Sequence, residues 1–282
     1  MAVSERLKVL VGEMPAADER GMLTTDIDKD RIEKAVVEIH GGGRANVLGL
    51  IEMLDEPGTE ADVKPHYALH CVVNHSLVTK DENARRQIAE TMAEQLDGEL
   101  STYNKVFLCQ ELQWSGRKEA VAALGKLLTD EELTESASMA LVAIRDGAVE
   151  QFRAALPAAT GKCRLNVVDG LAALADGQSA GAFRQALGDK DREVRLAAGA
   201  GLAAVGDASA ADALLGATNV EPGWERVRTI KHCLVLAENL AAAGKRVDAA
   251  KIYSRLRDGC KAPEEKYLRD AAEKGLAAAT ST

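Results

Sequence analysis

The chain has 282 residues, of which 46% are hydrophobic and only 3% are aromatic, and its formal net charge is −9. Because Ala, Leu and Val must supply most of the core, this composition favours closely packed helices over a sheet sandwich. The negative charge repels phosphate backbones, so the composition argues against a nucleic-acid partner.

The sequence also predicts the compartment of the protein. The first residues lack a basic stretch followed by an apolar run, and no apolar run reaches about 18 residues, so we expect neither a signal peptide nor a membrane-spanning helix. Widely spaced cysteines without a CxxC pair predict reduced thiols in a cytoplasmic protein. They are Cys71, Cys109, Cys163, Cys233 and Cys260.

The first part of the chain predicts a series of helical pairs. Residues 1–25 have the character of an N-terminal cap or a loosely held end. Beyond them, the spacing of apolar residues predicts paired helices over 30–54, 65–96 and 104–128. The loop 55–65 is the clearest early break.

Three segments in the middle of the chain resemble one another at a step of about 30 residues. Equivalent positions carry Leu141, Leu171 and Leu202 before a turn, Asp146, Asp176 and Asp207 in it, and Phe152, Phe183 and Leu214 after it. Each unit therefore predicts two short helices joined by a turn, in which Asp caps the second helix and a following Gly tolerates a left-handed conformation. Such a unit buries its apolar stripe only by stacking on its neighbours.

The best-preserved unit contains the segment DKDREVRLAAGAGLAAVGD, residues 189–207. Its apolar stripe combines Val194 and Leu202 with small residues such as Ala198 and Gly201. Small side chains let neighbouring helices approach closely, although each Gly costs about 1 kcal/mol of helix propensity relative to Ala. Stacking therefore explains why this helix is rich in Ala and Gly.

This segment resembles a HEAT-like repeat of the short, phycobilisome-lyase type found in bacterial repeat proteins. The resemblance lies in the acidic turn, the Val-Arg pair and the Ala-rich helix that ends in Gly-Asp. Asp189 and Arg195 match the turn Asp and the helix Arg of that family, which implies that Arg195 forms an ion pair with turn carboxylates. The alternative is an exposed charge that contributes less than about 1 kcal/mol.

Beyond residue 222 the helices become longer. Gly244, Ala249 and Tyr253 have a spacing that resembles a tetratricopeptide hairpin, and Pro263 stands near its expected end. The alternative is a C-terminal cap with a polar outer face.

From these patterns we expect an all-α, right-handed α-solenoid of about seven or eight stacked helical hairpins, without a sheet. The division we predict is an N-terminal cap or loose segment (1–25), a HEAT-like array (26–222) and C-terminal hairpins (223–282).

Two motifs resemble the active-site motifs of an esterase. HGGG at 40–43 resembles an oxyanion loop, and GQSAG at 177–181 resembles a nucleophile elbow. The elbow serine must follow a strand, whereas Ser179 falls in the turn of a helical repeat, and only His232 follows it as a base. We therefore predict no catalytic residue and no enzymatic activity.

Two other clusters leave alternatives open. His66 and His70 are spaced i, i+4 with Cys71 and His75 nearby, a pattern that suits either a metal site or, more simply, a helix core. Trp224 and Arg226 lie in a basic cluster that suits either an anionic or peptide-binding spot or the packing of a helix start. We predict no metal site and no cofactor.

The function expected from the array is that of a non-enzymatic scaffold or adaptor, which binds a protein or peptide on a pre-organised concave surface. The resemblance supports this expectation, because HEAT-like arrays serve as scaffolds. The alternative is a protein that handles a chromophore or another small ligand, as phycobilisome-lyase-like arrays do.

Overall fold

The computed structural model describes residues 3–16, 27–59 and 62–281. These residues form sixteen α-helices and no strand, which confirms the all-α class of stacked helical hairpins. The first eight helices are α1 (Glu5–Gly12), α2 (Lys29–Gly41), α3 (Gly43–Glu52), α4 (Val63–Val78), α5 (Glu82–Gln95), α6 (Thr102–Ser115), α7 (Lys118–Lys126) and α8 (Thr134–Ile144). The others are α9 (Ala148–Ala155), α10 (Gly161–Ala173), α11 (Ala180–Ala186), α12 (Arg192–Val205), α13 (Ala211–Gly216), α14 (Trp224–Ala242), α15 (Arg246–Gly259) and α16 (Lys266–Thr280).

The chain divides into two compact units. In unit 1, Met1–Gln151, the helices α2, α4, α6 and α8 pack one against the next as one layer, and α3, α5 and α7 form a second. Helix α1 packs against α2, α3 and α4 through the buried side chains of Leu7, Leu10 and Val11. Residues 5–12 of the segment 1–25 thus form a packed helix, whereas residues 1–2 and 17–25 lie outside the described residues.

In unit 2, Phe152–Thr282, α10, α12, α14 and α16 pack in succession, and α11, α13 and α15 lie beside them. Its C-terminal core includes Ile230, Leu236, Ile252 and Tyr253. The tetratricopeptide-like spacing of this region stays a prediction. So does the three-part division of the chain.

Short polar side chains set where several helices begin. The side chain at the N-cap accepts a hydrogen bond from a backbone N–H of the first turn, which satisfies a donor that the helix itself leaves unpaired. The N-cap residues that do so are Ser4, Asp28, Asp81, Ser101 and Asp191.

The turns of the repeat contain the aspartates at the predicted positions, and one of them contains the expected left-handed Gly. Asp176 and Asp207 each cap a 3₁₀ turn, as expected. The Gly after Asp is left-handed at Gly147, with φ of 78°, but not at Gly177. In addition, the residue before each repeat Asp has a positive φ, with 67° at Arg145, 51° at Ala175 and 66° at Gly206.

Aromatic side chains pack directly onto glycines of the next helix in unit 2. A Cβ at Gly170 would lie 2.4 Å from the ring of Phe152, and a Cβ at Gly201 would lie 2.7 Å from the ring of Phe183. Both rings are fully buried. Glycine is required at these two positions because any side chain would overlap the ring, so the small residues of the stripe do permit close stacking.

The ion pairs between repeats differ in one respect from the expectation. Arg195 binds Glu225 at 2.6 Å and donates to the backbone carbonyl of Asp189 at 2.9 Å, whereas the Asp189 carboxylate binds Arg164 at 2.7 Å. Asp189 and Arg195 are therefore not partners in one ion pair. Each belongs to a link between successive even-numbered helices, because Arg164 lies on α10 and Arg195 on α12.

Candidate partner-binding groove

The ring nitrogens of His66 and His70 are already engaged within unit 1. His66 lies 2.7 Å from the carbonyl of Asp62 through Nδ1 and 3.1 Å from Oδ1 of Asn104 through Nε2. His70 contacts Glu111 at 2.9 Å through Nδ1 and accepts a hydrogen bond from Asn74 at Nε2. A metal would have to displace these contacts, because it binds through a nitrogen lone pair.

The neighbouring candidates do not complete such a site. The ring of His75 packs edge-on against His40, with centroids 4.8 Å apart. Within the part of the chain that the structure describes, no three His, Cys, Asp or Glu side chains come together in a group that could hold a metal ion.

Ser179 lies at the end of a 3₁₀ turn between α10 and α11. Its hydroxyl donates to the carboxylate of Asp176, which also binds Arg153. Burial by itself raises the pKa of Asp176, but the hydrogen bonds from Arg153 and Ser179 outweigh burial and hold that pKa below its ordinary value. The hydroxyl thus contributes to a repeat turn.

Trp224 and Arg226 are adjacent in sequence but have different surroundings. The guanidinium of Arg226 binds the buried carboxylate of Glu265 at 2.6 Å and also donates to the carbonyls of Thr218 and Gly259. The indole of Trp224 is about half exposed and begins α14. Arg226 is therefore occupied by structural contacts, and Trp224 is the exposed member of the pair.

An open groove of about 520 Å³ lies in unit 1, on the layer formed by α4, α6 and α8. Trp114 of α6 and Met139 of α8 supply its apolar surface, and these side chains are 65% and 53% exposed. The remaining residues of the groove are mostly polar: His70, Val106, Gln110, Glu111, Gln113, Glu132, Glu135 and Ser136. We call this surface the Trp114 groove.

The helical spacing of its residues explains how the groove forms. Val106, Gln110 and Trp114 are spaced i, i+4, i+8 on α6, whereas Glu135 and Met139 are spaced i, i+4 on α8. Residues four apart lie on one face of a helix. Because α6 packs directly against α8, the two faces form the walls of one groove.

The groove is negatively polarised. The Glu111 carboxylate is buried, and its Oε2 atom accepts no hydrogen bond from the described residues. Its other oxygen accepts from His70, and this hydrogen bond raises the pKa of His70 above its ordinary value. Glu132 and Glu135 lie exposed at the rim. Three carboxylates therefore line a surface on which the imidazole of His70 is the one basic side chain among the lining residues.

The groove was missed by the sequence reasoning, which selected Trp224 of the two tryptophans. One signal was available: Trp114 is a rare aromatic residue placed i, i+4 from a glutamine on a helix. Hydropathy alone assigns a tryptophan to the core. Only the way in which α6 packs against α8 leaves Trp114 exposed.

Comparisons with known proteins agree with the helical-repeat architecture. Residues 149–234 match the family model of HEAT repeats. The HEAT region covers nearly all of α9, then α10 to α13 and the first half of α14, and it contains the turns of Asp176 and Asp207. This confirms HEAT repeats in that part of the chain. No curated protein matches the sequence.

Several solved structures are similar in fold. An engineered protein is 17% identical with a TM-score of 0.49, covering 98% of this chain and 78% of its own. The complex of CpcE and CpcF of phycocyanin lyase from Nostoc sp. PCC7120 is 17% identical, with a TM-score of 0.37 and coverage of 94% of both chains. A computationally designed armadillo repeat protein for modular peptide recognition is 18% identical, with a TM-score of 0.31 and coverage of 96% and 99%. At these values the likenesses carry no functional argument.

No helix among residues 3–16, 27–59 and 62–281 combines the length and hydropathy that crossing a bilayer requires.

Proposed function

We propose that this chain is a non-enzymatic scaffold that binds a protein or peptide, and that the Trp114 groove takes a segment carrying cationic and apolar side chains. The observation that carries the proposal is the combination of an exposed Trp114 and Met139 with carboxylates in one groove. Trp is enriched among residues that dominate binding energy, and exposed apolar patches on helical arrays are typical of interaction sites.

The chemistry of the groove selects the charge of the partner. A Lys or Arg side chain placed here can contact the face of Trp114 and the carboxylates of Glu132 and Glu135 together. The groove is built on packed helices, so the protein itself loses little conformational entropy when a peptide binds.

The test measures fluorescence anisotropy of a fluorescein-labelled peptide, Leu-Lys-Lys-Lys-Lys-Leu, titrated with the full chain. We expect saturable binding that Trp114→Ala and the double variant Glu132→Lys/Glu135→Lys each weaken by about tenfold or more, which corresponds to about 1.4 kcal/mol. The matched control is Glu131→Lys, an exposed glutamate beside the groove that does not line it. Equal binding by the control and the double variant, or no binding by the unmodified chain, would contradict the proposal.

The alternative function, the handling of a chromophore or small ligand, has a different signature. A conjugated ligand such as heme or a bilin requires aromatic walls, and the Trp114 groove offers one indole. Titration with heme or bilin, followed by absorbance, would favour this alternative if a spectral shift occurred while the peptide failed to bind.

The location that we propose is the cytoplasm of a bacterial cell. All five cysteines are free thiols, which agrees with a reducing compartment.

A further inference from the structure

A second surface lies in unit 2, on one face of α14. Trp224, Arg228, Lys231 and Val235 are spaced i, i+4, i+7 and i+11, which places them in one line along the helix. All four are exposed, and the two apolar side chains, Trp224 and Val235, stand at the ends of the line. We call this line the α14 stripe.

The neighbouring helices extend the stripe on both sides. Helices α12 and α16 both pack against α14. The guanidinium of Arg192, the first residue of α12, lies 5.1 Å from the centroid of the Trp224 ring, and that of Arg228 lies 5.6 Å from it. On the other side, the ammonium of Lys231 lies 5.9 Å from the ring of Tyr267 on α16. Cations and aromatic rings thus alternate across three helices.

The charges around the stripe are mostly neutralised, with two exceptions. Arg192 binds Glu193 at 2.9 Å, Arg195 binds Glu225 at 2.6 Å and Lys266 binds Asp270 at 2.6 Å. In the described part of the chain, neither Arg228 nor Lys231 forms an ion pair with a carboxylate. Arg228 and Lys231 therefore carry uncompensated positive charge on a chain whose net charge is −9.

We propose that the α14 stripe is a second docking surface, which binds an acidic peptide segment flanked by apolar residues. A guanidinium stacked on an indole is held in place and keeps its N–H donors available, so Arg228 can bind a carboxylate with little further loss of entropy. Lys231 lies one turn along the same face and binds a second carboxylate. Trp224 and Val235 contact the apolar flanks. This surface is independent of the Trp114 groove and selects the opposite charge.

The length of the stripe sets the size of the segment. From Trp224 to Val235 the helix advances about 16 Å, at about 1.5 Å per residue. An extended peptide covers that distance in about five steps of about 3.3 Å, which join about six residues. A core of four acidic residues between two apolar ones therefore matches the stripe. A nucleic acid fits less well, because the tracking of a phosphate backbone requires a longer run of cations than this stripe has.

The probe is a fluorescein-labelled peptide, Leu-Glu-Glu-Glu-Glu-Leu, titrated with the full chain and followed by anisotropy. We expect saturable binding that weakens with added salt. The double variant Arg228→Glu/Lys231→Glu should weaken binding by about tenfold or more. The control Lys251→Glu should not, because it reverses one charge on α15, outside the stripe. In a Trp114→Phe background, the peptide should also change the fluorescence of Trp224.

Any of three results would overturn the proposal. The first is equal affinity of the double variant and the Lys251→Glu control. The second is no binding of the acidic peptide by the unmodified chain. The third is binding of a single-stranded oligonucleotide at Arg228 and Lys231 when the acidic peptide does not bind. The variant Glu132→Lys/Glu135→Lys separates the two surfaces, since it should weaken the basic peptide in the groove and leave the acidic peptide bound to the stripe.

Discussion

Within unit 2, two kinds of interface join successive repeats. At the first two, Phe152 packs on Gly170 and Phe183 packs on Gly201. One repeat step further, the equivalent positions hold Leu214 and His232. Leu214 thus stands where the first two interfaces have a phenylalanine, and His232 stands where they have a glycine. The repeat therefore does not preserve the identity of either member of the pair.

The third interface borders a small cavity. A cavity of about 110 Å³ remains there, bordered by Leu214, Gly199 and His232 among others. The Nδ1 atom of His232 is buried and has no hydrogen-bond partner among the described residues. Burial, and then the charge of Arg228, lower the pKa of His232 to about 4. His232, which lies on α14 next to Lys231 of the stripe, therefore stays neutral at physiological pH.

The interfaces should differ most in the stability lost when the side chain that packs against the next helix, Phe183 or Leu214, is shortened to Ala. Phe183→Ala should lower the free energy of unfolding by about 3–5 kcal/mol, because it leaves a ring-sized void against Gly201. Leu214→Ala should cost about 2 kcal/mol, at the low end for such a change, because Leu214 already borders a cavity. Urea denaturation followed by circular dichroism measures both. A larger loss for Leu214→Ala would contradict the difference in packing.

The pairing itself can be tested by converting the third interface into the type of the first two. Leu214→Phe alone should cost about 1–3 kcal/mol through overpacking, and His232→Gly alone should cost about 1 kcal/mol in helix propensity. The double variant should be more stable than the sum of the two changes predicts, by about 1–3 kcal/mol. Strictly additive effects in this double-mutant cycle would show that the two positions do not form a pair.

The Arg–Asp ion pairs of the same repeats should contribute differently to stability, because one pair is more buried than the other. Asp176 is buried and bound by Arg153, whereas the equivalent pair of Arg184 and Asp207 is more exposed. Asp176→Asn should cost about 1.5–3 kcal/mol and Asp207→Asn less than about 1 kcal/mol.

The loss of stability caused by Asp176→Asn should depend on pH. The pKa of folded Asp176 lies below the unfolded value of about 3.9. Its carboxylate therefore stabilises the fold above about pH 4, and this contribution is lost as the pH falls through the folded pKa. The difference in stability between the unmodified chain and Asp176→Asn should narrow on acidification. A constant difference down to acidic pH would contradict the assignment.

The smallest expected effect comes from the left-handed residue before each repeat Asp. Ala175 adopts this conformation with φ at 51°, where the next repeat has Gly206. Ala175→Gly should therefore stabilise the protein by up to about 1 kcal/mol, because glycine adopts a positive φ without strain. Ala173→Gly, an exposed helical position two residues earlier, should instead destabilise it by up to about 1 kcal/mol. Thermal unfolding of both variants distinguishes the two signs.

Much of the fold could be predicted because helical periodicity and capping are local properties. The predicted pair over 104–128 is observed as α6 and α7, with Gly116 between them, and the pair over 30–54 is observed as α2 and α3. Side-chain partners were harder to predict. Arg195 was expected to pair with turn carboxylates and binds Glu225, because a residue thirty positions away becomes its neighbour only after the helices stack.

The same distinction applies to the candidate surfaces. Trp224 was recognised because cations surround it in sequence, but the sequence offered Arg226 as its partner. The structure places Arg192 and Arg228 beside the ring and directs Arg226 to Glu265. The Trp114 groove had no local signal of its charge, since Glu111 lies about twenty residues before Glu132 and Glu135 in the chain.

The sequence by itself determined the helical class, the step of the repeat and the positions of the turns, because these follow from apolar spacing and from short-range capping by Asp, Ser and Gly. The tertiary structure decided which tryptophan faces are exposed, which carboxylate each arginine binds and which helix faces combine into a groove or a stripe. Those properties depend on contacts between residues far apart in the chain, and such contacts are set only when the apolar stripes of neighbouring repeats pack together.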